Sequence, residues 1–99
     1  MKGKERANLR AEAHHLSPMI HVGHQGVTDS VVRAMDDALR THELVKVDIS
    51  RNLDETPKTA ANALATATGA DVVQVIGRKA TLYRENPDLE WKDGIPPWR

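Results

Sequence analysis

Apolar positions along this chain recur at two different periods, and the switches between periods outline the elements. Within KERANLRAEAHH, residues 4–15, and just beyond it, Leu9, Ala13 and Leu16 fall at helical spacing among good helix formers, which predicts a first helix. Ser17-Pro18 ends it, because the residue before proline is pushed out of the helical region, and Met19–Val22 then suits a short strand. After Gly23-His24-Gln25-Gly26, Thr28 can cap a second helix and Asp29 puts negative charge in its first turn. That helix is expected to reach His42, with Val31, Ala34, Met35, Ala38 and Leu39 on its apolar face. Leu44–Ser50 alternates, with Val45, Val47 and Ile49 on one side and Lys46, Asp48 and Ser50 on the other, as in a strand with one wet face.

Thr56-Pro57 supplies a cap followed by proline at the first helical position, which predicts a third helix through Ala60, Ala61, Ala63, Leu64, Ala65 and Ala67 to Gly69. So many alanines permit close approach to a sheet. Asp71–Ile76 and Lys79–Arg84 read as two antiparallel strands joined at Gly77-Arg78. The predicted fold is a single compact α/β domain of order α-β-α-β-α-β-β, with helices against one four-stranded mixed sheet. Residues 1–84 form the domain. Residues 85–99, which hold three of the five prolines, form a loosely ordered tail.

Composition narrows the function more than the fold. The 99 residues suit one hydrophobic core. With no Phe, one Tyr and two Trp, that core must be aliphatic. The absence of cysteine removes disulfides, thiolate metal sites and Cys nucleophiles, and fits a reducing compartment. The charged start, Met1 to Arg10, has no signal-peptide character and no long apolar run follows, so the cytoplasm is the expected location. Net charge is zero, which counts against strong attraction to nucleic acid, yet residues 1–84 hold 12 of the 14 Lys and Arg and 10 of the 14 Asp and Glu. The body is mildly basic and the tail acidic.

Gly23-x-x-Gly26 sits between a strand and a helix start, where free backbone N–H groups and the helix dipole favour an anion such as phosphate. Read alone, it is also the string of an ordinary tight turn. It lacks the third glycine of a dinucleotide fingerprint and the Gly-Lys-Ser/Thr ending of a Walker loop. His14, His15, His21, His24 and His42 show no zinc-type spacing, and no serine lies in a triad-like context, so neither a metal, a cofactor nor catalysis is expected. His24 reads as an exposed loop residue able to donate to phosphate. Arg6, Arg10, Lys46, Arg78, Lys79 and Arg84 form a phosphate-tracking surface only if the fold brings the Gly23 loop, the Gly77 turn and the first helix to one side.

VGHQGVT at 22–28, HELVKV at 42–47 and ATGADVVQVIGRKATLYR at 67–84 resemble the CRM domain, in its stand-alone bacterial YhbY-type form. The resemblance spans about residues 3–84. It implies a fold similar to the C-terminal domain of translation initiation factor three, binding of structured RNA, association with precursors of the large ribosomal subunit, and no enzymatic step. Carried over position by position, it maps the family's RNA-clamping loop onto Gly23, His24, Gln25 and Gly26 and matches Lys46 and Arg84 to family positions; Thr28 at the adjoining helix start and Arg78 and Lys79 at the hairpin turn, read from the residues themselves, complete the expected RNA-binding set. Two departures stand out: the loop carries His24-Gln25 where the family often has a basic residue, and the acidic tail with Trp91 and Trp98 lies outside the family core. The rival reading is therefore an adaptor that uses this tail to hold a ribosomal protein.

Overall fold

The computed structural model describes residues 3–91 and 94–98; Met1 and Lys2, and Lys92, Asp93 and Arg99 of the tail, lie outside the described residues. The elements are α1 (Gly3–Ala13), β1 (Ile20–Val22), α2 (Asp29–His42), β2 (Leu44–Ile49), α3 (Pro57–Thr68), β3 (Asp71–Ile76) and β4 (Lys79–Tyr83), in the order read from the sequence. The sheet runs β1-β2-β4-β3, with β1 parallel to β2 and the other two pairings antiparallel.

The caps anticipated for α2 and α3 form as their chemistry requires. Thr28 Oγ1 accepts from Val31 N at 3.2 Å, Thr56 Oγ1 accepts from Thr59 N at 3.2 Å, and Gly69 ends α3 with φ +70°. Both helices cover one face of the sheet. Met35 and Leu39 from α2, and Ala60, Ala61, Leu64 and Ala65 from α3, pack on Val45, Val47, Ile49, Ala80 and Leu82. Met35, Leu39 and Leu64 are fully buried, each worth about 1.5–3 kcal/mol of transfer free energy. Ala34, Ala63 and Ala67 are exposed rather than part of this contact. The buried stripe of α3 is 60, 61, 64, 65 and 68, so only some of its alanines serve the close approach.

On the other face α1 covers only half of the sheet. Leu9 meets Leu44 and Val73, with Leu16, Tyr83 and Trp98 around them. Arg6 donates to the carbonyl of Val72 at 2.8 Å, beside the irregularity between Val72 and Gln74 on the edge strand β3.

The tail departs from the loose order expected of it. Glu43, buried and with φ +62° just past α2, receives Asn86 N at 2.7 Å and Trp98 Nε1 at 3.1 Å on its two carboxylate oxygens. Trp91 and Trp98 meet edge to face at 6.1 Å. A buried carboxylate needs donors on its oxygens, and residues 86 and 98 provide them, which draws the tail onto the body.

Candidate functional site

Strand directions bring several connections to one end of the sheet. β1 and β2 run parallel and finish there, and β4 starts there because it is antiparallel to β2, with Lys79 opposite Asp48. The turn from Gly23, the Ser50–Glu55 loop and the Gly77-Arg78 turn are therefore neighbours, joined by Ser50 N to Val22 O and Ile49 N to Arg78 O, both at 2.8 Å. α2 and α3 both begin at this end, since each follows one of these loops.

Gly26 N donates to Gly23 O at 3.0 Å, closing a turn that leaves His24 and Gln25 exposed at its tip. The two glycines differ in their reason for being there. Gly26 has φ +78° and is buried, and a Cβ on it would lie 3.5 Å from Leu53 Cδ1 and 3.8 Å from Glu55 Oε1. Its hydrogen is required by the fold. Gly23 lacks a positive φ, and the nearest atom to an added Cβ is His21 Nε2 at 4.0 Å. The fold would tolerate a side chain there. A hollow of about 150 Å³ lies against Gly23, His24, Gln25, Gly26, Thr28 and Val31. At its helical side Val31 N is taken by Thr28, while Asp29 N and Ser30 N have no acceptor among the described residues.

Around this turn the charges are mixed. Arg51, Arg78 and Lys79 border a second hollow of about 460 Å³ with Asp48 and Ser50. Arg78 Nη1 donates to Ser50 O at 3.2 Å, which bridges β2 and the hairpin turn. Lys79 pairs with Asp48, and His21 Nδ1 sits 3.1 Å from the other carboxylate oxygen of Asp48. The hydrogen bond from Lys79, with a smaller contribution from His21, holds the Asp48 carboxyl below its ordinary value of 3.8 against the opposing effect of burial. Asp29, Asp54 and Glu55 add negative charge at the same end, so an anion held there would rely on backbone N–H groups and helix termini as much as on side-chain charge.

Gly23, His24, Gln25, Gly26, Thr28, Arg78 and Lys79 are thus gathered at one end. Lys46 lies mid-strand on the half-covered face and donates to Ala13 O at 3.2 Å, at the C-terminus of α1. Arg84 is elsewhere. It follows β4 at the opposite end of the sheet, where Nη1 meets Asp36 Oδ1 at 2.6 Å and Thr68 O at 2.7 Å, and Nη2 meets Asp36 O at 3.1 Å. Those contacts tie the chain just past β4 to the middle of α2 and the C-terminus of α3. Arg51 at the loop end, and His21, Gln74 and Thr81 on the sheet, were not singled out from the sequence as contact residues. Only Arg51's position in the loop two residues after β2 offered a signal.

Fold and loop together define a class: a small α/β domain with one half-covered mixed sheet and a Gly-x-x-Gly turn at a helix N-terminus. The chain belongs to the CRS1/YhbY (CRM) domain family, whose sequence profile matches residues 1–84. It is 36% identical over 88 residues to the Bacillus subtilis "Probable RNA-binding protein YqeI", covering 89% of this chain and 92% of that one. A Haemophilus influenzae protein named "RNA-binding protein" is 38% identical over 93 residues, with 94% and 92% covered. The solution structure of a hypothetical Staphylococcus aureus protein, described as a candidate RNA binder, superposes with a TM-score of 0.78 at 33% identity, covering 91% of this chain and 94% of that one.

Proposed function

We propose that this chain binds structured RNA through its loop end, in association with precursors of the large ribosomal subunit in the cytoplasm, and that it acts by binding rather than by catalysis. The observation that carries this reading is the opening of the Gly23–Gly26 turn directly onto the capped N-terminus of α2, with the start of α3, Arg51 and Arg78 alongside. Phosphate approaches the main chain at Gly23, the first-turn N–H groups of α2 receive it, and the neighbouring cations align the strand. The names of the relatives support RNA as the ligand. The ribosomal assignment rests on the family resemblance.

The adaptor reading is weakened by the tail's own contacts. Trp98 is directed at Glu43 and the Leu9 cluster of the same chain, which leaves its indole engaged within the domain. Sedimentation of cell extract on sucrose gradients, at low and raised salt, tests the proposal with wild type and Gly23→Asp. Wild type is expected to travel with precursor large subunits at low salt and to be released by raised salt, and the variant to stay at the top. Wild type remaining at the top in both conditions refutes the ribosomal assignment, and a variant that travels like wild type refutes the role of the loop.

A further inference from the structure

Beyond the loop, the half of the sheet that α1 leaves open carries a second concave surface. Its geometry follows from register. Lys46, Thr81 and Gln74 lie side by side across β2, β4 and β3, and Lys79 pairs with Ile76 one row nearer the loop end. His14, just past α1, closes the far side, and these six residues line a hollow of about 180 Å³. That is smaller than the roughly 300 Å³ at which sites for small-molecule ligands begin, but of a scale for one flat ring.

The lining has an unusual feature. Among the described residues the Thr81 hydroxyl and the Gln74 side-chain amide, both on the wall of this hollow, make no hydrogen bond within the fold. Because the fold does not use them, this hydroxyl and amide are available as donors and acceptors to a ligand that displaces water from the hollow. Ile76, 57% exposed, adds an apolar wall, and Lys46 and Lys79 place two cations at the rim. His21 connects this surface to the loop: it is on the same face as Asp48 and Lys79, and its Nε2 is the atom nearest to where a Cβ of Gly23 would be.

We infer that this hollow is a nucleotide subsite that takes one unpaired base of the RNA held by the loop, an inference that rests on the RNA-binding reading above. The base lies against Ile76, its edge exchanges hydrogen bonds with Gln74 and Thr81, and its phosphate meets Lys79 or Lys46. A base inside an A-form helix cannot reach such a hollow, because its edge is shielded in the deep groove, whereas a splayed base in a bulge or loop can. The RNA recognised is therefore a helix interrupted by an unpaired nucleotide.

The test compares two probes, a perfectly paired RNA hairpin and the same hairpin with a short unpaired bulge, titrated against full-length wild type, Thr81→Val and Gln74→Ala. Thr81→Val keeps the shape of the buried side chain and removes a hydroxyl that holds nothing in the fold, so its melting curve is expected to match wild type. Wild type is expected to prefer the bulged hairpin, and each variant to lose about three- to tenfold in affinity for it, the scale of one hydrogen bond, with paired-hairpin binding unchanged. Equal wild-type affinity for the two hairpins, or variants that weaken both alike or neither, overturns the subsite while leaving loop binding in place. No wild-type binding to either hairpin overturns the RNA-binding reading itself.

Discussion

Gly23 and Gly26 give a way to separate folding from binding within one four-residue turn. At Gly26 an alanine must adopt φ near +78° and put its methyl 3.5 Å from Leu53, so Gly26→Ala is expected to cost about 1–2 kcal/mol of stability. For a chain of this size that lowers the melting temperature by roughly 4–8 °C per kcal/mol. At Gly23 the backbone has no positive φ and the nearest atom is 4.0 Å away. Gly23→Ala is expected to be neutral or stabilising by about 0.4–1 kcal/mol, because it restricts the unfolded chain. If phosphate approaches the main chain at Gly23, the same methyl stands in its path. Losing one charge-assisted hydrogen bond of about 1.5–3 kcal/mol weakens RNA binding by roughly ten- to a hundredfold. Thermal melting and RNA titration of the two alanine variants read both quantities. A Gly23→Ala protein that melts at or above wild type and binds RNA with wild-type affinity refutes the approach of phosphate at that glycine.

Three further outcomes follow from the contacts. Arg84→Ala removes three hydrogen bonds at the end of the sheet away from the loop, and after discounting the half-exposed Asp36 carboxylate it is expected to cost about 2 kcal/mol in a urea titration while leaving RNA affinity unchanged. A large loss of affinity with unchanged stability would refute this placement. Trp98→Phe removes the indole donor to buried Glu43 and is expected to cost about 1–3 kcal/mol, read as a lower melting temperature; wild-type melting would show that this hydrogen bond does not contribute to holding the tail on the body. Asp48 has a lowered folded-state pKa, so the stability it contributes is full above its ordinary value of 3.8 and is lost as pH falls through the lower folded value. The stability gap between wild type and Asp48→Asn is expected at about pH 7 and to close at about pH 2; a gap that widens in acid contradicts the pairing with Lys79 and His21.

The fold was legible because the elements announce themselves through short-range chemistry. Thr28, Thr56-Pro57 and Gly69 mark helix ends by rules that act within a few residues, and the Val45-Val47-Ile49 alternation identifies one buried strand face. The loop was legible for the same reason. Arg84 was not: the sequence shows a cation at the end of a strand, and only the register of β4 against β2 reveals which end of the sheet it occupies. Lys46 is similar, since its distance from α1 depends on how that helix crosses the sheet. The tail's contacts were not legible because proline content speaks to local conformation, whereas Asn86 and Trp98 meet Glu43, which lies 43 and 55 residues from them in the chain.

On the proposed RNA-binding reading, a neutral chain must hold a polyanion with a small subset of its cations, and their positions in the fold nominate which. Arg6 and Arg84 are committed to backbone carbonyls or Asp36 within the fold. Lys79 on Asp48, and Lys46 and Arg78 on the carbonyls of Ala13 and Ser50, also have partners within the fold, but with Arg51 they lie at the loop end or on the open half of the sheet beside it, where RNA held by the loop reaches them. If each of these four meets one phosphate, the logarithm of the RNA association constant should fall against the logarithm of salt concentration with a slope of about −3 to −4. Asp48, Asp54 and Glu55 nearby oppose any steeper dependence. Equilibrium titrations across a series of salt concentrations measure the slope directly. A slope of about −6 or steeper would need cations from the exposed faces of α1 and α2, such as Arg10, Arg33 and Arg40, and would move the interface away from the Gly23 turn.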